Sequence, residues 1–339
     1  MSGNSLSAVA FHLLHQRERL SYLRSSMTLP LLLFVLIHLC GLLACHGFKI
    51  CAFNVQSFGD SKAADGKILH TLTQIVSRCD VCLLQEVRDN RKKAIPKLLN
   101  SLNNFDSNHQ YDHVSSGRLG RSQTYQEQYV FVFRRDSVRL KDQYQYPDTQ
   151  KGDEDAFARE PFVVRFQAPK TVIGEFVLVP VHTTPTNATK EIDELYDVFE
   201  DVRQRWRTED MMFLGDFNAA CGYVAKKNRK NIRLYTMSSF AWLIEDKQDT
   251  TVRETTDCAY DRIVVHGDTF LRAVVPFSAQ PFNFAKEYRL TEEEALKVSD
   301  HYPIEVDLKT KSGSERGCAH SNLLPFTFGL VLLLQMSAD

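Results

Sequence analysis

What most limits the fold of this chain is a set of apolar runs, each delivering a polar or ionisable residue at or beside its end. Phe48–Val55 carries Asn54, and Val81–Val87 carries Glu86 within Gln-Glu-Val-Arg-Asp. Glu175–His182 closes on His182, and Met211–Phe217 leads into Asp216 and Asn218 within Phe-Leu-Gly-Asp-Phe-Asn-Ala. Asp300 and His301 stand just before Pro303 and the run Ile304–Leu308. Apolar runs of this length read as strands, and a strand that ends on such a group presents it where a ligand can reach it. One of them alone is an ordinary strand terminus. Carboxylate, amide and imidazole groups repeated in this way point to a reactive site.

Alternation predicts further strands at Tyr125–Arg134, Phe162–Gln167 and Arg262–Val265. Helical spacing predicts helices at Ala63–Ser77, Lys92–Leu102 and Glu191–Arg205, the last with Ile192, Leu195, Val198, Phe199 and Val202 on one side. Many strands with few helices, and no linker or repeat between them, predict one domain over 47–310. Its expected architecture is two sheets packed face to face with helices outside. Lysine plus arginine (41) nearly cancels aspartate plus glutamate (42), so no global field draws in a polyanion. Any such partner must be held by local charge or by a metal.

Both termini read as processing signals. Arg17, Arg19 and Arg24 precede the apolar run Leu29–Leu43, and small residues follow around Ala44 and Gly47. Residues 1–46 are expected to be an N-terminal extension and secretory signal, with Met27 as an alternative start. The run is about 15 residues, short of the roughly 20 that span a bilayer. At the other end Ser312, Gly313 and Ser314 precede a polar spacer, Glu315 to Asn322, and an apolar segment, Leu323 to Leu334. That is the order of a glycosylphosphatidylinositol (GPI) attachment signal, and it predicts an enzyme of the extracellular space or the outer leaflet of the cell membrane.

With Cys40 and Cys45 in the signal and Cys318 in the tail, Cys51, Cys79, Cys82, Cys221 and Cys258 remain. Cys79 and Cys82 form a C-x-x-C with no second such pair and no histidine pair, so buried thiols are expected there rather than zinc. Cys221 and Cys258 each sit beside a strand-end motif, and a bridge between them is expected.

The chemistry that fits is hydrolysis of a phosphate ester, which needs a cation to offset charge, a base for water and an acid for the leaving oxygen. Hard oxygen donors such as Glu86, Asn54 and Asp300 suit Mg²⁺ or Mn²⁺. His182 and His301 can work from opposite sides of phosphorus. Each needs a carboxylate on its far nitrogen, and Glu127 and Asp261 are the candidates.

Phe53-Asn54, Gln85 to Asp89, Tyr125-Gln126-Glu127, Gly215 to Ala219, Cys258 to Arg262 and Ser299 to Pro303 resemble, in order, the motifs of the deoxyribonuclease I family over about 48–309. The apolar tail looks like that of its deoxyribonuclease-1-like 1 branch. The resemblance implies a four-layer α/β sandwich, two mixed sheets flanked by helices, of endonuclease/exonuclease/phosphatase type. It implies a monomeric endonuclease that cleaves DNA to 5′-phosphate ends with Mg²⁺ and Ca²⁺. Matched position by position, Glu127 with His182 and Asp261 with His301 are the catalytic pairs, and Asn54, Glu86, Asp216, Asn218 and Asp300 the metal and phosphate positions. Arg88, Tyr125, Arg159 and Tyr260 match DNA contacts, and Asp249, Thr251 and Thr256 resemble a structural calcium site.

The chain departs from the family's archetype in three places. Gln56 replaces an arginine at a phosphate contact, and Asp148–Asp155 replaces a small disulfide loop with its nearby calcium site. Ser115 stands where a valine meets actin, so tight actin binding is not expected. Asn187-Ala188-Thr189 is a glycosylation sequon. Lys226, Lys227, Arg229, Lys230 and Arg233 form a basic run that reads either as a solvated surface or as a phosphate-tracking patch. Two other function classes share this pattern: a phosphodiesterase acting on lipid or inositol head groups, and a non-catalytic DNA- or actin-binding relative. The second would usually lose one of His182, His301, Glu86 or Asp216, and all are present.

Overall fold

β1 (Phe48–Phe58) shows how the sequence builds layers: Ile50 and Ala52 enter one core, while Cys51, Phe53 and Val55 enter another. Successive strand residues point to opposite faces, so a strand apolar throughout must be covered on both. The same split recurs at Phe176 and Leu178 against Val177 and Val179, and at Met212 and Leu214 against Met211 and Phe213. One core therefore lies between two sheets, and each sheet's outer face carries a further core roofed by helices. The computed structural model describes residues 47–311, so the expected signal at 1–46 and the tail from Ser312 onward lie outside the described residues.

The first sheet runs β12 (Gln280–Pro281), β13 (Ile304–Leu308), β1, β2 (Val81–Val87), β5 (Tyr125–Arg134), β3 (Tyr111–Ser115), with β4 (Leu119–Ser122) also on β5. The second runs β10 (Phe240–Trp242), β11 (Asp261–His266), β9 (Met211–Asp216), β8 (Gly174–His182), β7 (Phe162–Ala168), β6 (Arg139–Gln145). This is the four-layer α/β sandwich expected from the sequence. Among these strands only β1 with β2 and β8 with β9 pair in parallel. Each parallel pair is joined through helix: Asp60–Ala64 and Gly66–Val76 in the first, Ala188–Trp206 in the second. Polar groups at the carboxyl ends of such strands face a common crevice. Asn54 and Glu86 come from one unit, His182 and Asp216 from the other.

Several boundaries move for local reasons. The expected helix Ala63–Ser77 is two helices, because the Asp65 carboxylate accepts from Lys67 and Ile68 N–H and starts a new one. The helix expected at Lys92 begins at Ala94, where Asp89 accepts the N–H groups of Lys93, Ala94 and Ile95. Cys79 is not a thiol: it bridges Cys51, with Cα atoms 6.1 Å apart. Both belong to the core under the helices, where Cys79 follows the helix that packs over β1. Cys221 bridges Cys258 as expected, and Cys82 is free and buried.

In the loop-entropy account, bridges spanning 28 and 37 residues each stabilise by roughly 3–4 kcal/mol. Peptide mapping without reduction should recover both pairs, with Cys82 alkylated only after unfolding. Recovery of Cys51 and Cys79 as free thiols in folded protein would contradict this assignment.

Candidate active site

A buried amide links the two sheets beside the site. Gln85, fully buried, donates from Nε2 to Val181 O at 2.5 Å and accepts the Asp216 N–H on Oε1 at 3.2 Å. Gln85 thus reaches from β2 to β8 and β9. Gly215 leaves the room: its φ is +126°, and a Cβ there would lie 2.5 Å from Val181 O and 2.7 Å from the Gln85 amide.

Strand register then gathers the acid–base candidates. Asp216 is paired with His182 on β8 and with Asp261 on β11. Asp216 Oδ2 lies 3.7 Å from Nε2 of His182 and 3.7 Å from Nε2 of His301. The far nitrogens are held as expected: Nδ1 of His182 meets Glu127 Oε1 at 2.5 Å, and Nδ1 of His301 meets Asp261 Oδ2 at 2.8 Å. Glu127 Oε2 and Asp261 Oδ1 are buried without a hydrogen bond, so each carboxylate keeps an oxygen for charge interaction.

These contacts set the protonation. Burial works against charge on His182, but Glu127 outweighs it and the imidazole titrates above its usual range. Burial opposes charge on His301 as well, and Asp261 followed by Asp216 raises it to about 10. Burial, then Asp261, keeps the Asp216 carboxyl above the usual carboxylate range despite both imidazoles. Burial would raise Glu127 too, but His182 and Arg159 hold it down.

The oxygen donors lie beside the imidazoles. Asn54 Nδ2 donates to Glu86 Oε1 at 3.1 Å and to Asp216 Oδ2 at 3.3 Å. Glu86 sits where the ladder slips against both β1 and β5, with φ +56°. A left-handed glutamate on a bulge is a costly conformation that re-aims a side chain. Asn218, also left-handed, donates from Nδ2 to Thr183 O and from its backbone to Asp216 Oδ1. Asp300 and Glu86 act on Lys62, whose ammonium donates to Val55 O and Val298 O. Burial brings Lys62 down to about 8 against those two carboxylates. The donors are hard oxygens and imidazole nitrogens, with Asp216, Asp261 and His301 ligand atoms within 4.8 Å of one another, a set that fits a divalent cation.

Around this centre the other expected residues divide. Arg88 and Tyr125 form a surface pair, guanidinium carbon 4.2 Å from the ring centroid, with Tyr125 45% exposed. Tyr260 lies 6.3 Å from the His301 ring. Arg159 is placed differently from an open DNA contact: its side chain is 13% exposed and its Nε lies 2.8 Å from Glu127 Oε1. That N–H makes no aligned hydrogen bond, so the contact is one of charge. Asp249, Thr251 and Thr256 do meet: Asp249 Oδ1 accepts from Thr251 and from Cys258 N–H, and Thr251 Oγ1 donates to Thr256 O. The loop that replaces the archetype's disulfide brings Asp148, Asp155 and Glu160 oxygens within 4.8 Å of one another.

Residue-type reasoning did not find the supports. Ser299 Oγ donates to Asn54 O at 2.6 Å and accepts the His301 N–H, tying β1 to the Asp300–His301 turn. Thr250 Oγ1 receives the N–H groups of Tyr260 and Asp261. Tyr129 OH receives His182 N–H at 3.0 Å. Each adjoins or lies within a motif already marked, which was the available signal.

Residues 51–301 match the model of the endonuclease/exonuclease/phosphatase family. Human deoxyribonuclease gamma is 49% identical over 83% of this chain and 91% of its own length. Deoxyribonuclease-1 of Sus scrofa is 49% identical over 82% of this chain and 98% of its own. Deoxyribonuclease-1-like 1 of Cricetulus griseus is 48% identical, covering 85% and 90%. An endonuclease/exonuclease/phosphatase structure from Bacteroides vulgatus superposes with a TM-score of 0.53 at 16% identity, covering 79% of this chain and all of its own. The human Nocturnin catalytic domain gives 0.51 at 15%, covering 78% and 95%, and at such identities the likeness is one of fold.

Replacing Gln85 by Leu should remove two hydrogen bonds that cross between the sheets, each worth about 0.5–1.5 kcal/mol net. Denaturant unfolding should show a loss of roughly 1–3 kcal/mol. A loss below about 0.5 kcal/mol would mean that the bridge does not hold the sheets.

Proposed function

Because this chain belongs to the endonuclease/exonuclease/phosphatase family and, within it, to the deoxyribonuclease I family, we propose that it is a divalent-metal-dependent DNA endonuclease that leaves 5′-phosphate ends. The observation that carries this reading is the placement of both imidazole Nε2 atoms 3.7 Å from one carboxylate oxygen. They are then at most twice that distance apart, a gap of the size one phosphodiester fills. One imidazole takes a proton from the attacking water at Nε2. The other gives its Nε2 proton to the departing 3′ oxygen, so the bond from phosphorus to that oxygen breaks and phosphate stays on the 5′ side. Glu127 and Asp261 fix which nitrogen faces the substrate and stabilise each imidazolium.

Glu86, Asn54, Asp216, Asn218 and Asp300 would hold Mg²⁺ or Mn²⁺, which when bound offsets the negative charge that builds on the phosphate. Ca²⁺ is assigned a structural role at Asp249, Thr251 and Thr256, supported by their meeting in one loop. Arg88, Tyr125 and Tyr260 are assigned to the DNA, and Arg159 to the Glu127 side of the same phosphate. A monomer without tight actin affinity fits the Ser115 substitution.

The enzyme is proposed to follow the secretory pathway to the cell surface or beyond, supported by the apolar run after Arg24 and by two disulfides. Glycosylation is assigned to Asn187, a half-buried residue at the end of a short turn whose side chain makes no capping hydrogen bond. No helix among the described residues is long and apolar enough to cross a membrane. Leu323 to Leu334, about 18 Å as a helix, falls short of a hydrocarbon core of roughly 30 Å and suits a cleaved lipid-attachment signal.

Purified protein should nick plasmid DNA with Mg²⁺ and Ca²⁺ and fail in EDTA, while leaving sphingomyelin intact. His182→Ala or His301→Ala should lower turnover about 10²–10⁴-fold with the fold preserved, and Glu127→Gln less. A histidine variant retaining over a tenth of the activity would remove that residue from the mechanism.

Phosphatidylinositol-specific phospholipase C should release activity from intact cells. Activity that remains cell-bound after treatment, or is wholly in the medium beforehand, would overturn the anchor.

A further inference from the structure

The basic run after Cys221 is not one patch, because the structure sorts its cations into two kinds. Arg229 holds Asp246 with both terminal nitrogens, at 2.7 and 2.8 Å, and buried Arg262 shares that carboxylate at 2.8 Å. Arg229 foremost, with Arg262, draws Asp246 down to about 2. Arg233 is taken by Asp193 and Asp197 of the helix Ala188–Trp206. These arginines pin the 3₁₀ turn Lys226–Asn231 to the body of the domain. Lys226, Lys227 and Lys230 are exposed, and among the described residues their side chains make no ion pair or hydrogen bond.

The segment just before the pinned turn approaches the site through Tyr223. Tyr223, 43% exposed, lies 5.2 Å ring to ring from Tyr260, which is 6.3 Å from the His301 ring. On a 3₁₀ turn residues three apart eclipse, so Lys227 and Lys230 share a face about 6 Å apart. Successive phosphates on one DNA strand advance about 3.4 Å along the axis, so that spacing is close to two steps.

We propose that Lys226, Lys227 and Lys230 form a phosphate-binding strip on which duplex DNA rests beyond the scissile phosphate. The proposal rests on the DNA-cleaving reading above and adds a second surface to it. In a chain whose charges nearly cancel, three unpaired lysines on an anchored turn supply the local field that polyanion binding needs. The arginines are structural and the lysines do the recognising.

The test compares wild-type protein with Lys226→Gln/Lys227→Gln/Lys230→Gln on a long duplex at NaCl concentrations from 50 to 300 mM. Bis(p-nitrophenyl) phosphate, too short to reach the strip, serves as the second substrate. Each phosphate contact contributes about 0.9 to the slope of log affinity on log salt. The triple variant should therefore lose about tenfold in kcat/KM on duplex at low salt, with a slope shallower by about two to three. Its rate on the small diester should stay within about twofold, and the Lys→Arg triple variant should restore the steep slope. An unchanged slope, or an equal loss on both substrates, overturns the strip. So does an unchanged slope accompanied by lost binding to phosphatidylserine vesicles. A wild-type protein that cleaves the small diester but not duplex DNA would sink the DNA reading itself.

Discussion

The site depends on how the two sheets are held together by polar groups, first among them the buried amide of Gln85. The Gln85 side chain spans the gap between the sheets and bonds both Val181 O on β8 and Asp216 N–H on β9. Two sheets packed through apolar side chains alone can slide by fractions of an ångström at little cost. A directional hydrogen-bond pair fixes their offset where the chemistry lies. Gly215 is the steric counterpart, since any Cβ there would collide with that amide. Substituting either residue should loosen the same contact.

Around that bridge the two helix-linked parallel strand pairs serve different chemistry. The β1–β2 pair supplies oxygen donors, Asn54 and Glu86, with Lys62 beneath them. The β8–β9 pair supplies His182 and Asp216, β11 beside it adds Asp261, and β5 of the opposite sheet adds Glu127. Asp216 belongs to both halves: it accepts from Asn54 and stands between the imidazoles. The bridge between Cys221 and Cys258 joins the loop after Asp216 to the segment leading into Asp261, and so holds the two carboxylate-bearing strands in step.

Strand interiors and strand-end chemistry were readable because a strand covered on both faces is apolar throughout and ends abruptly. Val81–Val87, Tyr125–Arg134 and Ile304–Leu308 begin and end where the pattern says. The strands that escaped notice lie at sheet edges or are very short. Arg139–Gln145 is exposed along most of its length, so its sequence carries no apolar signal. Tyr111–Ser115 and Phe240–Trp242 are also edges, of only five and three residues, too short to show a period. The histidine–carboxylate pairs were legible as residue types beside motifs, and the distances bear the pairing out. Gln85, Ser299 and Thr250 were not, because a buried amide or hydroxyl acquires its role from a partner that may be far away in sequence, as Ser299 does from Asn54. Cys51–Cys79 was missed in the same way: nothing local marks the strand cysteine as lying under the helix end.

Asp216 is the charge shared by both imidazoles. Ring nitrogen NMR on EDTA-treated protein can follow His182 and His301 separately through pH. Burial disfavours the charged rings, yet carboxylates should hold both above 6.5, with His301 near 10. Asp216→Asn should lower both midpoints together, whereas Asp261→Asn should lower His301 far more than His182. An Asp216→Asn protein in which only one histidine moves, or a wild-type His301 that titrates at or below 6.5, would contradict it.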